Sequence, residues 1–119
     1  MLLPDVNVLV YAHREDGHRE HARFASWVTS LATGPEPFGL SVLALAGVVR
    51  VVTNPRIFRR PSTLEEALSF TSELIRRPTA RVLTPVPRHC ELVTDLCRKV
   101  GATGKLVADA QHAAVAIEH

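Results

Sequence analysis

Three polar residues in apolar settings carry the chemistry open to this chain: Asp5, Asn7 and Asp109. Leu2, Leu3, Val6, Val8, Leu9 and Val10 surround the first two. A carboxylate in such a run is costly unless it is paired or holds a metal. Asp109 stands among Leu106, Val107, Ala108, Ala110, Ala113 and Ala114. Two carboxylates share an apolar pocket only when a cation or a proton compensates them. Mg²⁺ favours that arrangement, taking one or two carboxylates, several waters and substrate phosphate. The cation then polarises a phosphoryl oxygen and orients or activates water. Each acid also has a plainer reading. Asp5 then only caps a turn into a helix, and Asp109 complements the dipole in the first turn of a late helix.

The elements that must position these residues follow from pattern and caps. A strand is expected at about residues 2–6, with Asn7 as the N-cap of a helix from about residue 8. Asp5 then ends the strand, on the side where open parallel sheets bind ligands. Asp16 is the expected cap for a helix at about 18–33, whose apolar stripe is Phe24, Trp27, Val28 and Leu31. His18 and His21 are expected as exposed residues of that helix. Phe38 to Leu40 read as a second strand. Ser41 is a natural cap for an apolar helix running to about Thr53, which Asn54 and Pro55 stop. Such a helix should be buried all round. A basic loop follows at 55–61, with Ile57 and Phe58 as anchors. Thr63 and Glu66 form a capping box for a helix at about 64–77, with Leu64, Ala67, Leu68, Leu74 and Ile75 as its buried face. Arg81 to Thr84 are a third strand candidate. A helix at about 88–99 ends at Gly101, and the last helix begins near Leu106. Strands alternating with helices indicate an α/β domain with a parallel sheet.

Composition narrows the class. At 119 residues the chain is read as a single domain. With 46% hydrophobic and 22% charged residues it is globular rather than disordered. No apolar run approaches the ~18 residues that span a bilayer, and no signal-peptide pattern opens the chain, so a cytoplasmic location without membrane attachment is expected. Cys90 and Cys97 lie two helical turns apart, ~10 Å, too far to bridge; helix packing is their expected role. Net charge is only +2, but no Asp or Glu occurs from Pro37 to Thr63, where Arg50, Arg56, Arg59 and Arg60 fall. Arg suits bidentate phosphate contacts, which makes a polyanion partner plausible.

Residues 3–12 (Leu-Pro-Asp-Val-Asn-Val-Leu-Val-Tyr-Ala), Pro37 to Ser41, Val48 to Phe58, Gly104 to Asp109 and the Ala113 to His119 stretch share an order and spacing. In these the chain resembles the PIN-domain ribonucleases of the VapC toxin family. The resemblance spans essentially the whole chain. It implies a three-layer α/β/α fold with a short parallel sheet, and Mg²⁺-dependent (or Mn²⁺-dependent) cleavage of RNA. It also implies a cognate VapB-like antitoxin and a homodimer. Asp5 and Asp109 match the family acids as catalytic and metal-binding residues. Asn7 matches the polar residue two after the first acid, and Asn7 with Ser41 shapes the site. Arg56, Arg59 and Arg60, in or beside a loop, are the RNA-binding candidates.

Two departures from the family pattern stand out. Val42 holds the place where many relatives carry an acid, and Glu15 and Asp16, the acids nearest the first strand, have no evident place in the pocket. The family pattern also continues into a strand, another acid and a final strand, whereas this chain stops at His119. On that reading the C-terminal strands are missing and turnover by these 119 residues should be weak. A PIN-like module that binds antitoxin or RNA without cutting is therefore the main alternative. A haloacid-dehalogenase-like phosphotransferase ranks far lower, because it wants a second Asp where Asn7 stands.

Overall fold

Caps and apolar spacing fix most of the elements in the computed structural model, which describes residues 1–119. The order is α1 (Val6–His13), α2 (His21–Thr33), β1 (Phe38–Ser41), α3 (Val42–Val52), α4 (Leu64–Ile75), β2 (Ala80–Leu83), α5 (His89–Val100) and α6 (Lys105–Glu118). The chain forms two compact units, residues 1–82 and 83–119.

In the first unit β1 is the centre of a short parallel sheet. β2 pairs with it on one side. On the other, Leu2 forms a single parallel bridge to Phe38, with the Gly39 amide donating to the Leu2 carbonyl at 2.7 Å. The strand expected at 2–6 is thus cut to one bridge residue: Leu3 to Asp5 are irregular, Pro4 has no N–H for a ladder, and the helix begins at Val6. All four residues of β1 are buried. Phe38, Leu40, Leu9, Val48 and Val52 form the heart of the core, each no more than 1% exposed. The α/β architecture with a parallel sheet is as expected.

α3 starts where Ser41 accepts a hydrogen bond from the Leu43 amide at 3.2 Å. It buries Ala44, Leu45, Val48 and Val52 but turns Leu43, Ala46 and Arg50 outward, so it is buried on one face and not all round. It packs on α1, α4 and β1. Gly47 sets the approach to α1: a Cβ there would lie 3.0 Å from Val6 Cγ2. α4 carries the full Thr63–Glu66 capping box. Its buried face is Ala67, Thr71 and Leu74, whereas Leu64, Leu68 and Ile75 are exposed. Thr71 is tolerated inside because its hydroxyl donates to the Leu68 carbonyl at 3.1 Å.

α2 begins at His21, not 18, and Asp16 does not cap it. His18 and His21 are half-buried rather than exposed. His18 packs against Tyr11 and Phe24, and His21 Nδ1 meets the Tyr11 carbonyl at 2.7 Å.

The second unit is an antiparallel pair, α5 and α6. Gly101 supplies the left-handed turn between them at φ 60°. His89 Nδ1 meets Glu118 Oε1 at 2.8 Å, tying the start of α5 to the end of α6. Both cysteines are free; Cys90 is exposed, so helix packing does not account for it.

Candidate functional site

Asp5 occupies the N-cap position of α1, the place expected for Asn7. Its backbone is extended, its carbonyl accepts the first helical bond from Leu9, and its side chain makes no capping bond. The carboxylate is therefore half-buried at a helix start with its oxygens free. That location favours a negative charge through the amide dipoles of the first turn. Asn7 moves into that first turn and is exposed. Ser41 is only 1% exposed at the end of β1, and its hydroxyl is committed to the cap of α3. Val42, the residue in the expected acid's place, opens α3, which has no acid in its first turn.

Asp109 is exposed in the second turn of α6, one turn later than expected, so the dipole role does not apply to it. It takes part in no ion pair. No group of three or more His, Cys, Asp and Glu side chains gathers where it could hold a metal. A carboxylate with free oxygens, such as that of Asp5, nevertheless suits Mg²⁺, a hard cation that keeps several waters.

The basic loop is built from a distance. Arg14, at the end of α1, reaches across to residues 60 and 62. Its Nη1 donates to Ser62 Oγ at 3.1 Å and its Nη2 to the Arg60 carbonyl at 2.7 Å. Its guanidinium lies 4.5 Å from the centre of the Phe58 ring. A bidentate pair with Asp16 completes the fork, at 2.8 and 2.7 Å. That hydrogen bonding holds the Asp16 carboxyl below the usual range. Ser62 Oγ also meets His13 Nε2 at 3.0 Å. Burial, then the neighbouring Arg14 charge, push the His13 pKa down. Neutral His13 can accept the Ser62 proton while Ser62 accepts from Arg14.

This brace presents Arg56, Arg59 and Arg60 outward, all exposed. Phe58 is buried beneath them, only 7% exposed, and Ile57 projects with 52% exposure, so one of the two expected anchors faces out. Arg59 and Asn7 line a single cleft with Val10, Tyr11, Asp16 and Phe58. The sequence gives neither Arg14 nor Asp16 a place in the site. The histidine and arginine run at 13–14 was the only local sign, and nothing near it pointed to Ser62.

The PIN domain family matches residues 2–119. The chain belongs to this family. Over its full length it is 44% identical to the VapC ribonuclease Mb2897 of Mycobacterium bovis, of which it covers 80%. It is 39% identical to Ribonuclease VapC25 and 33% identical to Ribonuclease VapC33 of Mycobacterium tuberculosis, covering 83% and 82% of them. The chain is therefore a PIN-domain member of the VapC ribonucleases. No helix of this PIN domain is long and apolar enough to cross a membrane.

Proposed function

We propose that this PIN domain is a Mg²⁺-dependent endoribonuclease, the toxin of a VapBC-type pair, with Mn²⁺ as a possible substitute ion. The observation that carries the reading is the free Asp5 carboxylate at the start of α1, which has no side-chain cap, in a chain whose own full length aligns with VapC ribonucleases. Asp5 and Asp109 are the proposed metal ligands and catalytic acids, each offering oxygens that nothing else in the protein engages. A bound divalent ion supplies Lewis acidity toward a phosphoryl oxygen and a more acidic water. The chain's own residues bind and orient. Arg56, Arg59 and Arg60 hold phosphates as planar two-pronged donors. Asn7 contacts the substrate beside Asp5, and Ser41 fixes the floor by locking α3 to β1.

Incubation with total RNA, with and without Mg²⁺, tests the reading. Mg²⁺-dependent fragments that disappear in Asp5→Asn and in Asp109→Ala are expected. RNA binding without fragments would instead support the non-cutting module, which Val42 at the start of α3 and the lack of a three-ligand cluster favour. Loss of one phosphate-binding Arg should lower the log–log salt slope of RNA binding by up to about 1. An unchanged slope in both Arg59→Ala and Arg60→Ala would reduce the loop to a solvated surface.

A VapB-like antitoxin and a second copy of the chain are the proposed protein partners. Trp27 is 41% exposed and lines an apolar groove with Val8 and Phe24, a surface suited to a partner. Light scattering that shows a strict monomer, with no protein co-purifying from the native operon, would count against both.

A further inference from the structure

The cleft shared by Asn7 and Arg59 has more in it than a phosphate contact needs. It is a half-open groove in the first unit with a volume of about 540 Å³, inside the range of small-ligand sites, ~300–1,000 Å³. Its accessible apolar lining comes from exposed Ile57 and half-buried Tyr11 and Val51, with buried Val10 and Phe58 behind them. Ile57 is 52% exposed, and Gly17 brings no side chain to the lining. Three exposed polar residues line it as well: Asn7, Asp16 and Arg59.

Apolar surface for a flat ring, hydrogen-bonding groups for its edge and a cation for its phosphate are what recognise an unstacked base of single-stranded RNA. Asp16 is prepared for the edge. Arg14 holds both of its oxygens from one side, which fixes the carboxylate in place. Each oxygen keeps a further lone pair for a donor. A carboxylate accepts from exocyclic amines, as on cytosine, and adenine and guanine carry one too. Uracil has none. The Asn7 amide both donates and accepts, so it complements either kind of group on the same edge. A helical antitoxin segment would need a longer apolar groove.

We propose that this cleft is a base subsite for single-stranded RNA, preferring a base with an exocyclic amine. The assignment rests on the ribonuclease reading for its biological sense, but its binding test does not depend on cleavage. The ¹⁵N-labelled full chain is titrated, without metal, with AMP, CMP, GMP, UMP and inorganic phosphate. Amide shifts confined to residues around Asn7, Gly17 and Ile57 are expected, with UMP binding about fivefold or more weaker than the other three. Ile57→Asp, at an exposed position, should abolish the shifts while leaving the rest of the spectrum unchanged. Asp16→Asn should remove the discrimination against UMP. No shifts at the cleft, or equal shifts with phosphate alone, would overturn the base subsite whether or not the chain cuts RNA. Ile57→Asp that releases a co-purifying protein yet keeps the nucleotide shifts would assign the cleft to that protein and also overturn the inference. Shifts as expected in a chain that never cleaves RNA would uphold the subsite and sink the nuclease reading alone.

Discussion

Replacing Arg14 with Ala removes the side chain that ties the end of α1 to the Arg60 carbonyl and the Phe58 ring, and one of the two that reach Ser62. Its side chain is only 14% exposed, so these contacts are partly shielded from water. The charged bond to buried Ser62 contributes about 1.5 kcal/mol, the low end for a charged donor. The contact with the Phe58 ring adds about 0.5 kcal/mol. The bond to the exposed Arg60 carbonyl is replaced by water and adds little. The pair with Asp16 is open to solvent and is left out of the sum. A loss of about 2 kcal/mol in urea unfolding is therefore expected, a large share of the stability of a domain this size. Lys at this position keeps the charge but has no planar fork, so Arg14→Lys should recover less than half of the loss. RNA affinity should fall in both variants, because Arg59 and Arg60 lose their support. A loss below about 0.5 kcal/mol, the usual size for a surface change, or full recovery by Lys, would refute the brace.

Other variants probe the scaffold. Ser41→Ala removes a buried cap and should cost about 1 kcal/mol, read from the urea midpoint. Gly47→Ala sets helix propensity, a gain of about 1 kcal/mol, against crowding of Val6, which costs about 1–3 kcal/mol; a net loss is expected, and a net gain would mean that α1 yields easily. The lowered pKa of His13 gives stability that is complete above the ordinary histidine value and declines as pH falls below about 6.5. Urea midpoints at pH 7.5 and 5.5 should differ, and His13→Asn should remove part of that difference. Glu66, held low first by the Thr63 hydroxyl bond, and Asp16 add a further decline at more acid pH, in the range where their unfolded carboxyls take up protons.

What the sequence made legible was short-range chemistry. The Ser41 cap, the Thr63–Glu66 box and the Gly101 stop each depend on residues a few positions apart, and each formed as expected. The start of α1 was misread by two residues because Asp5 and Asn7 are equally good caps, and a short apolar run suits strand or helix alike. That error matters little for the site, since Asp5 still ends the entry to the sheet. The stripe on α4 was misplaced because Thr71 looks polar from its letter, yet satisfies its hydroxyl within its own helix. The Arg14–Ser62 contact was illegible for a different reason. It spans 48 positions, and no local pattern signals a pairing at that range. The cleft containing Asn7, Asp16 and Arg59 depends on that contact, so it became visible only with the fold.

The central claim is the proposal that the free Asp5 carboxylate is a ligand to a divalent ion, with Asp109 proposed as a further ligand. Calorimetric titration with Mn²⁺ of the full chain, Asp5→Asn, Asp109→Asn and the double variant tests it most directly. Asn caps a helix about as well as Asp, so Asp5→Asn should keep its stability within a few tenths of a kcal/mol, and a lost ion can be separated from a lost fold. Weakened Mn²⁺ affinity in each single variant, with the fold retained, is expected. Unchanged affinity in Asp5→Asn would contradict the account, and unchanged affinity in Asp109→Asn would remove Asp109 from the ligand set.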